Sequence, residues 1–221
     1  MNAMRCVKKR YYFIVTFMVC LSIACNHTEE NKSNVQHIKS DSAIYLENSN
    51  PYSPIDKSPM DMSYYPPEYP FLKESGDDTV PLIARVIYSR PKLGGRAIFG
   101  DSTKENAVIL KYGDNWRMGA NETTEIEFFR DVTINGTKLA KGRYVLYCIP
   151  YPDKWKIVFN SNLFAWGRVI NPNKDIFNTV VPVITTSHPI EYFTMVFEKG
   201  QQGADLLMLW GNLKVVLPIN F

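Results

Sequence analysis

From residue 81 onward the chain is a succession of short runs rich in β-branched and aromatic residues, each closed by turn formers, and this rhythm most restricts the possible folds. The runs are Leu82–Tyr88, Arg96–Phe99, Ala107–Tyr112, Glu125–Phe129, Val132–Ile134, Tyr144–Ile149, Lys156–Phe159, Phe177–Ile184, Phe193–Glu198, Ala204–Trp210 and Lys214–Ile219. Alternating or wholly apolar runs of about 4–8 residues bounded by turn residues read as strands. Asn135-Gly136, Lys141-Gly142, Pro152-Asp153, Lys199-Gly200 and Gly211-Asn212 are the hairpin-like punctuation. No window shows sustained helical periodicity with caps. The expected fold is all-β: an antiparallel β-sandwich, jelly-roll-like, over residues 81–221, with a barrel as the alternative. Leu206 to Trp210 is apolar on both faces, which predicts a central strand covered on each side.

The N-terminus reads as a targeting segment. Lys8, Lys9 and Arg10 precede an apolar run from Phe13 to Ala24, too short for a hydrocarbon layer that needs about 20 residues. The run ends in Leu21-Ser22-Ile23-Ala24-Cys25 before polar Asn26. This resembles the cleavage motif of bacterial lipoproteins, with Leu21 one place from its usual position. Residues 1–24 are therefore expected to be a lipoprotein signal peptide and Cys25 the lipidation site, anchoring an exported protein in the outer membrane or at the cell surface. An ordinary signal peptide with an incidental Cys25 is the alternative. Several acyl chains on one cysteine hold a protein on a membrane almost permanently, because each buried methylene contributes about 0.8 kcal/mol. Of four cysteines, only Cys148 then stays free in the body. A lone thiol makes no internal disulfide, and in its apolar run Cys148 reads as a small buried hydrophobe.

Removing the four basic residues of the signal from a formal net charge of +3 leaves −1. Residues 26–80 carry −6 and residues 81–221 carry +5. No clustered basic stripe is present, which argues against nucleic acid as a partner. The polar stretch 25–53 has too few large apolar groups to offset chain entropy and is expected to be a disordered acidic tether. Residues 54–80 interleave prolines with Met60, Met62, Tyr64, Tyr65, Tyr69 and Phe71. Proline excludes regular helix and central strand, so this stretch is expected to be an extended arm packed on the domain, with a partner-seeking linker as the alternative.

The densest chemistry lies in Tyr112-Gly113-Asp114-Asn115-Trp116-Arg117-Met118-Gly119-Ala120-Asn121-Glu122-Thr123-Thr124. Together with Ser58-Pro59-Met60-Asp61, Arg85 to Pro91, Gly95 to Gly100 and Gly142-Arg143-Tyr144, it resembles the family catalogued as domain of unknown function 2911. That family occurs mainly in secreted and lipid-anchored proteins of Bacteroidetes-type bacteria. The resemblance runs from about residue 54 to the C-terminus. It implies an exported β-rich domain and no assigned activity. Physically, a loop with an aromatic, a guanidinium, a carboxamide and a carboxylate is equipped for a hydroxyl-rich ligand: Trp116 would stack, and Arg117, Asn121 and Glu122 would donate and accept. Arg90 and Arg96, with Arg85, would add anion recognition. The structural alternative pairs Arg117 with Glu122 and buries Trp116 in the core.

Little supports catalysis. His188 is the only histidine of the body, so no metal site, cofactor or Ser-His-Asp arrangement is expected. The remaining enzymatic reading is a glycoside hydrolase using Glu125 and Glu127, which lie at i and i+2 on one strand face, within reach of the carboxyl spacing such chemistry needs. Asp41-Ser42-Ala43, Asp78-Thr79-Val80 and Asp101-Ser102-Thr103 are similar to acceptor triplets for bacterial O-glycosylation. The best-supported expectation is a membrane-anchored envelope module that binds a glycan or another polar envelope component. A structural lipoprotein with protein partners only is the other non-enzymatic reading.

Overall fold

The structure, a computed structural model, describes residues 56–101, 108–166 and 169–221. The signal segment, Cys25 and the tether lie outside the described residues. Among those described, the strands are β1 (Met60–Tyr65), β2 (Ala84–Ser89), β3 (Ala97–Gly100), β4 (Val108–Lys111), β5 (Thr124–Phe128), β6 (Val132–Ile134), β7 (Thr137–Leu139), β8 (Gly142–Pro150), β9 (Lys154–Asn160), β10 (Asp175–Lys199) and β11 (Gly203–Asn220). One short helix, α1 (Tyr69–Glu74), follows β1. Nine strands form one antiparallel sheet in the order β1-β2-β5-β8-β9-β10-β11-β6-β7, and β3 and β4 form a small parallel pair. No helix among the described residues is long and apolar enough to cross a membrane.

The sandwich expected from sequence is built from this one sheet. The first part of β10 pairs with β9 from Asp175 to Pro182, and the rest pairs with β11 from Val183 to Lys199. β10 thus belongs to both layers. The turn-over is helped by irregularities in the β10–β11 ladder, where Ile190 opposite Gly211 is flanked by register shifts. Gly211 adopts φ 55°, which a glycine accepts without steric cost. Gly211-Asn212 therefore kinks a continuous strand instead of closing a hairpin, and the four runs read after Phe177 merge into two long strands.

Side chains alternate along each strand, so every second residue enters the core. Val86 and Tyr88 of β2, Ile126 and Phe128 of β5, Leu146 and Cys148 of β8, and Trp155, Ile157 and Phe159 of β9 meet Phe193, Met195, Phe197, Leu206, Met208, Trp210, Leu217 and Ile219 of β10 and β11. All are buried in one cluster.

The proline-rich stretch does contain regular structure. β1 is an edge strand paired with β2 from Met60↔Ser89 to Tyr65↔Ala84. Pro66 and Pro67 fall after its end, and Pro70 sits in the first turn of α1, where a missing N–H removes no helical bond. β1 also closes the sandwich onto the C-terminal hairpin. The Phe197 amide donates to Ser63 Oγ at 3.0 Å, and the Tyr65 hydroxyl donates to the Gly203 carbonyl at 2.9 Å.

Gly203 cannot be replaced freely, because it has φ 155° and a Cβ there would overlap the Ile219 carbonyl oxygen. Gly203→Ala is expected to cost about 1–3 kcal/mol through this overlap, and Tyr65→Phe about 1 kcal/mol for the lost hydrogen bond. Urea unfolding of the two variants checks both values.

Candidate functional site

The segment between β4 and β5 is held by the sheet it crosses. The Gly113 amide donates to the Pro150 carbonyl at 2.9 Å, and Trp116 exchanges two backbone hydrogen bonds with Cys148 of β8, each 2.8 Å. Met118 and Asn121 take φ 56° and 59°, conformations uncommon outside glycine. The buried Thr124 hydroxyl secures this turn by donating to the Met118 carbonyl at 2.6 Å.

This pinning drives the Trp116 indole inward, where it is only 4% exposed. It stacks on Trp210 at 5.5 Å between centroids and 18° between planes. Phe193, Phe99 and Trp155 meet it edge-on at 4.9, 5.4 and 5.5 Å. An open stacking platform at Trp116, as read from sequence, is therefore corrected: most of the ring is core. Its Nε1–H donates to the Gly119 carbonyl at 3.4 Å, whereas the buried indole nitrogens of Trp155 and Trp210 have no acceptor.

One side of the stack still borders a hollow of about 190 Å³, whose lining includes Trp116, Trp210, Arg96, Asn115, Arg117 and Ser58. Neither Asp nor Glu lines it among the described residues. Arg96 reaches it from the loop before β3, its Nε donating to the Leu93 carbonyl at 3.0 Å and its Nη2 to that of Lys92 at 2.5 Å. A larger groove of about 520 Å³ opens where β10 and β11 diverge, lined by residues such as Val181, Pro182, Leu217 and Pro218. Among the described residues it brings no titratable side chain, so the smaller hollow is the stronger candidate.

The remaining residues singled out by sequence are dispersed. The Asn121 carboxamide donates to Asp56 Oδ2 at 3.0 Å, and Glu122 forms a backbone bridge with Trp166. Arg90 pairs with Asp61 at 3.1 Å and donates to Thr194 Oγ1 at 3.3 Å. Only Trp116, Arg117 and Arg96 converge on one space.

Glu125 and Glu127 do share a face, but cations flank them there. Arg85, Glu127 and Arg143 lie side by side across β2, β5 and β8. Arg85 Nη2 is 2.7 Å from Glu127 Oε2, and Arg143 reaches Glu127 at 3.6 Å and Glu125 at 3.5 Å. The Phe164 amide also donates to Glu125 Oε1 at 3.2 Å. These carboxylates belong to an ion-pair ladder on the sheet.

Sequence reasoning missed the β9–β10 loop. Its Ala165 carbonyl accepts from the Thr123 amide and hydroxyl, at 3.4 and 3.1 Å. Anchored so, it presents Phe164 (82% exposed), Trp166 (66%) and Val169 (78%) to solvent. Large apolar groups in a loop otherwise rich in Asn were the available signal. Phe164 adopts φ 61°, a strained state for a bulky residue. Cys148 is fully buried, and burial pushes its thiol well above the ordinary range.

A family model described as protein of unknown function (DUF2911) matches residues 78–219. No curated protein and no solved structure matches the chain.

Trp116→Ala is expected to cost about 3–5 kcal/mol of stability, as for large-to-small changes in a packed core, and Trp166→Ala less than about 0.5 kcal/mol. Thermal denaturation of both variants checks that Trp116 is core and Trp166 is exposed. The Cys148 thiol is expected to resist Ellman's reagent in the native protein and to react in denaturant; fast native labelling would contradict its burial.

Proposed function

We propose, for a chain that belongs to the DUF2911 family of proteins of unknown function, a role as an exported, lipid-anchored envelope lipoprotein whose β-sandwich binds a polar ligand, carbohydrate by preference. The observation that carries the binding role is the hollow beside the Trp116–Trp210 stack, where two indoles meet Arg96, Arg117 and Asn115. An apolar floor with a few convergent polar groups is how small-molecule sites are generally equipped. The anchor rests on the sequence around Cys25. The glycoside hydrolase alternative is the less supported, because the Glu125 and Glu127 carboxylates are already engaged in ion pairs with Arg85 and Arg143.

A second reading, a lipoprotein that bridges envelope proteins, is favoured by one observation. Phe164, Trp166 and Val169 of the β9–β10 loop are each exposed, and large apolar side chains left in solvent favour an interaction surface.

The anchor is tested by fractionating cells that express the full chain. The wild type is expected in the membrane fraction and Cys25→Ala in the soluble exported fraction; an unchanged distribution would reject the anchor. For the ligand, a glycan array is expected to give signals that Arg117→Ala weakens. An array without signal for the wild type, alongside loss of a co-purifying protein in Trp166→Ala, would favour the bridging reading.

A further inference from the structure

The first part of β10 is paired on one side only. Asp175 to Pro182 pair with β9, whereas the ladder to β11, the neighbour on the other side, goes no further than Val183↔Val215. Two prolines account for this. The Val183 amide donates to the Asp153 carbonyl at 3.0 Å. Bonded and non-bonded positions alternate in an antiparallel ladder, so Val181 and Thr179 also turn their backbone groups toward β9. Those of Pro182, Val180 and Asn178 are turned away, toward β11. Continued in register, Pro182 would stand opposite Val216, and Val180 opposite Pro218. Each proline falls where the next rung needs an N–H, and has none. The two strands separate there into the groove of about 520 Å³.

The separation leaves a strand edge with which no strand pairs among the described residues. Asn178 and Val180, whose N–H and C=O groups point along it, are both exposed. Edges of this kind are commonly blunted with charge. Here residues 176–187 contain no charged side chain, and Ile176, Val180 and Ile184 are exposed apolar groups. Behind the edge, the buried side chains of Val181, Leu217 and Ile134 line the groove. The site thus offers a row of backbone donors and acceptors over an apolar, uncharged floor, the combination by which sheet edges capture extended peptides.

From these features we infer that the groove takes an extended, uncharged peptide segment of a partner protein, which adds as a strand to the 178–182 edge of β10. Its main chain repeats N–H and C=O at the spacing of β10 itself, and every second side chain falls on Val181, Leu217 and Ile134. The edge covers roughly 16 Å at about 3.3 Å per residue, which sets the segment at about five or six residues. The groove is flanked by Val216 to Pro218 of β11 and by the β6–β7 turn at Asn135 and Gly136, which favours a lone segment over the broad side of a second sandwich. This site is separate from the hollow beside the tryptophan stack, so either can fail without the other.

The experiment is amide hydrogen exchange and peptide titration by nuclear magnetic resonance on the full-length protein in detergent. In the free protein the amides of Asn178 and Val180 are expected to exchange about ten-fold or more faster than those of Thr179 and Val181. The probe is a capped hexapeptide of alternating threonine and valine, set beside two copies that are N-methylated on one or the other alternate set of amides. The parent peptide is expected to slow exchange at Asn178 and Val180. One methylated copy is expected to bind about ten-fold or more weakly, and the other like the parent. Val180→Pro removes the edge N–H without removing a bond to β9, and is expected to weaken the parent peptide by about ten-fold. The methylated copies keep the test decisive if Val180→Pro unfolds. No binding of the parent peptide, or equal binding of all three peptides, would overturn the strand-addition site. Slow exchange at Asn178 and Val180 in a peptide-free protein that sediments as a dimer would overturn the peptide assignment in favour of a second copy.

Discussion

The structure turns on the stack of Trp116 against Trp210. Trp210 lies on β11 in one layer, and Trp116 is tied through its backbone to Cys148 of β8 in the other. The stack therefore couples the layers at a point where Phe99, Phe193 and Trp155 also converge. Aromatic pairs of this kind contribute about 0.5–1.5 kcal/mol beyond the area they bury. Because the indole is committed to this cluster, the rest of the loop has its course set. Arg117 stays at the pocket, while Asn121 and Glu122 lie beyond the turn at Met118 and join Asp56 and Trp166.

Charge is distributed in two contrasting ways. On the sheet face, Arg85, Glu127, Arg143 and Glu125 alternate across adjacent strands and neutralise one another. Partly exposed pairs of this sort contribute little stability, about 0–1 kcal/mol each. Their main consequence is to occupy both carboxylates. At the pocket, Arg96 and Arg117 lie beside Trp116, Trp210 and Asn115, with neither Asp nor Glu in the lining among the described residues.

Several strands were legible to within a residue or two. Val132–Ile134 matches β6, and Glu125–Phe129 differs from β5 by one residue at each end, because two-residue alternation is a local property of strands. The misreadings have a common cause. Gly211 and the gap between the runs ending at Ile184 and starting at Phe193 read as breaks between elements, but β10 and β11 run through them, since pairing with a neighbour outweighs local propensity. Strand β1 was hidden among prolines that fall just outside it. β7, only Thr137–Leu139, was too short to show a pattern.

For the candidate site, composition pointed to the right segment and to the wrong surface. A tryptophan, an arginine, a carboxamide and a carboxylate within seven residues identified the segment, but residue type does not say which side chain a turn sends inward. What the sequence by itself determined is the all-β antiparallel character, the buried state of Cys148 and the family, because these follow from local alternation, apolar context and motif. Only the tertiary structure decided that the two layers are one sheet, that Trp116 is core while Trp166 is exposed, and that Glu125 and Glu127 are paired. Each of these depends on which residues, distant along the chain, are brought opposite one another, and hydrogen-bond register and packing across the sandwich set that.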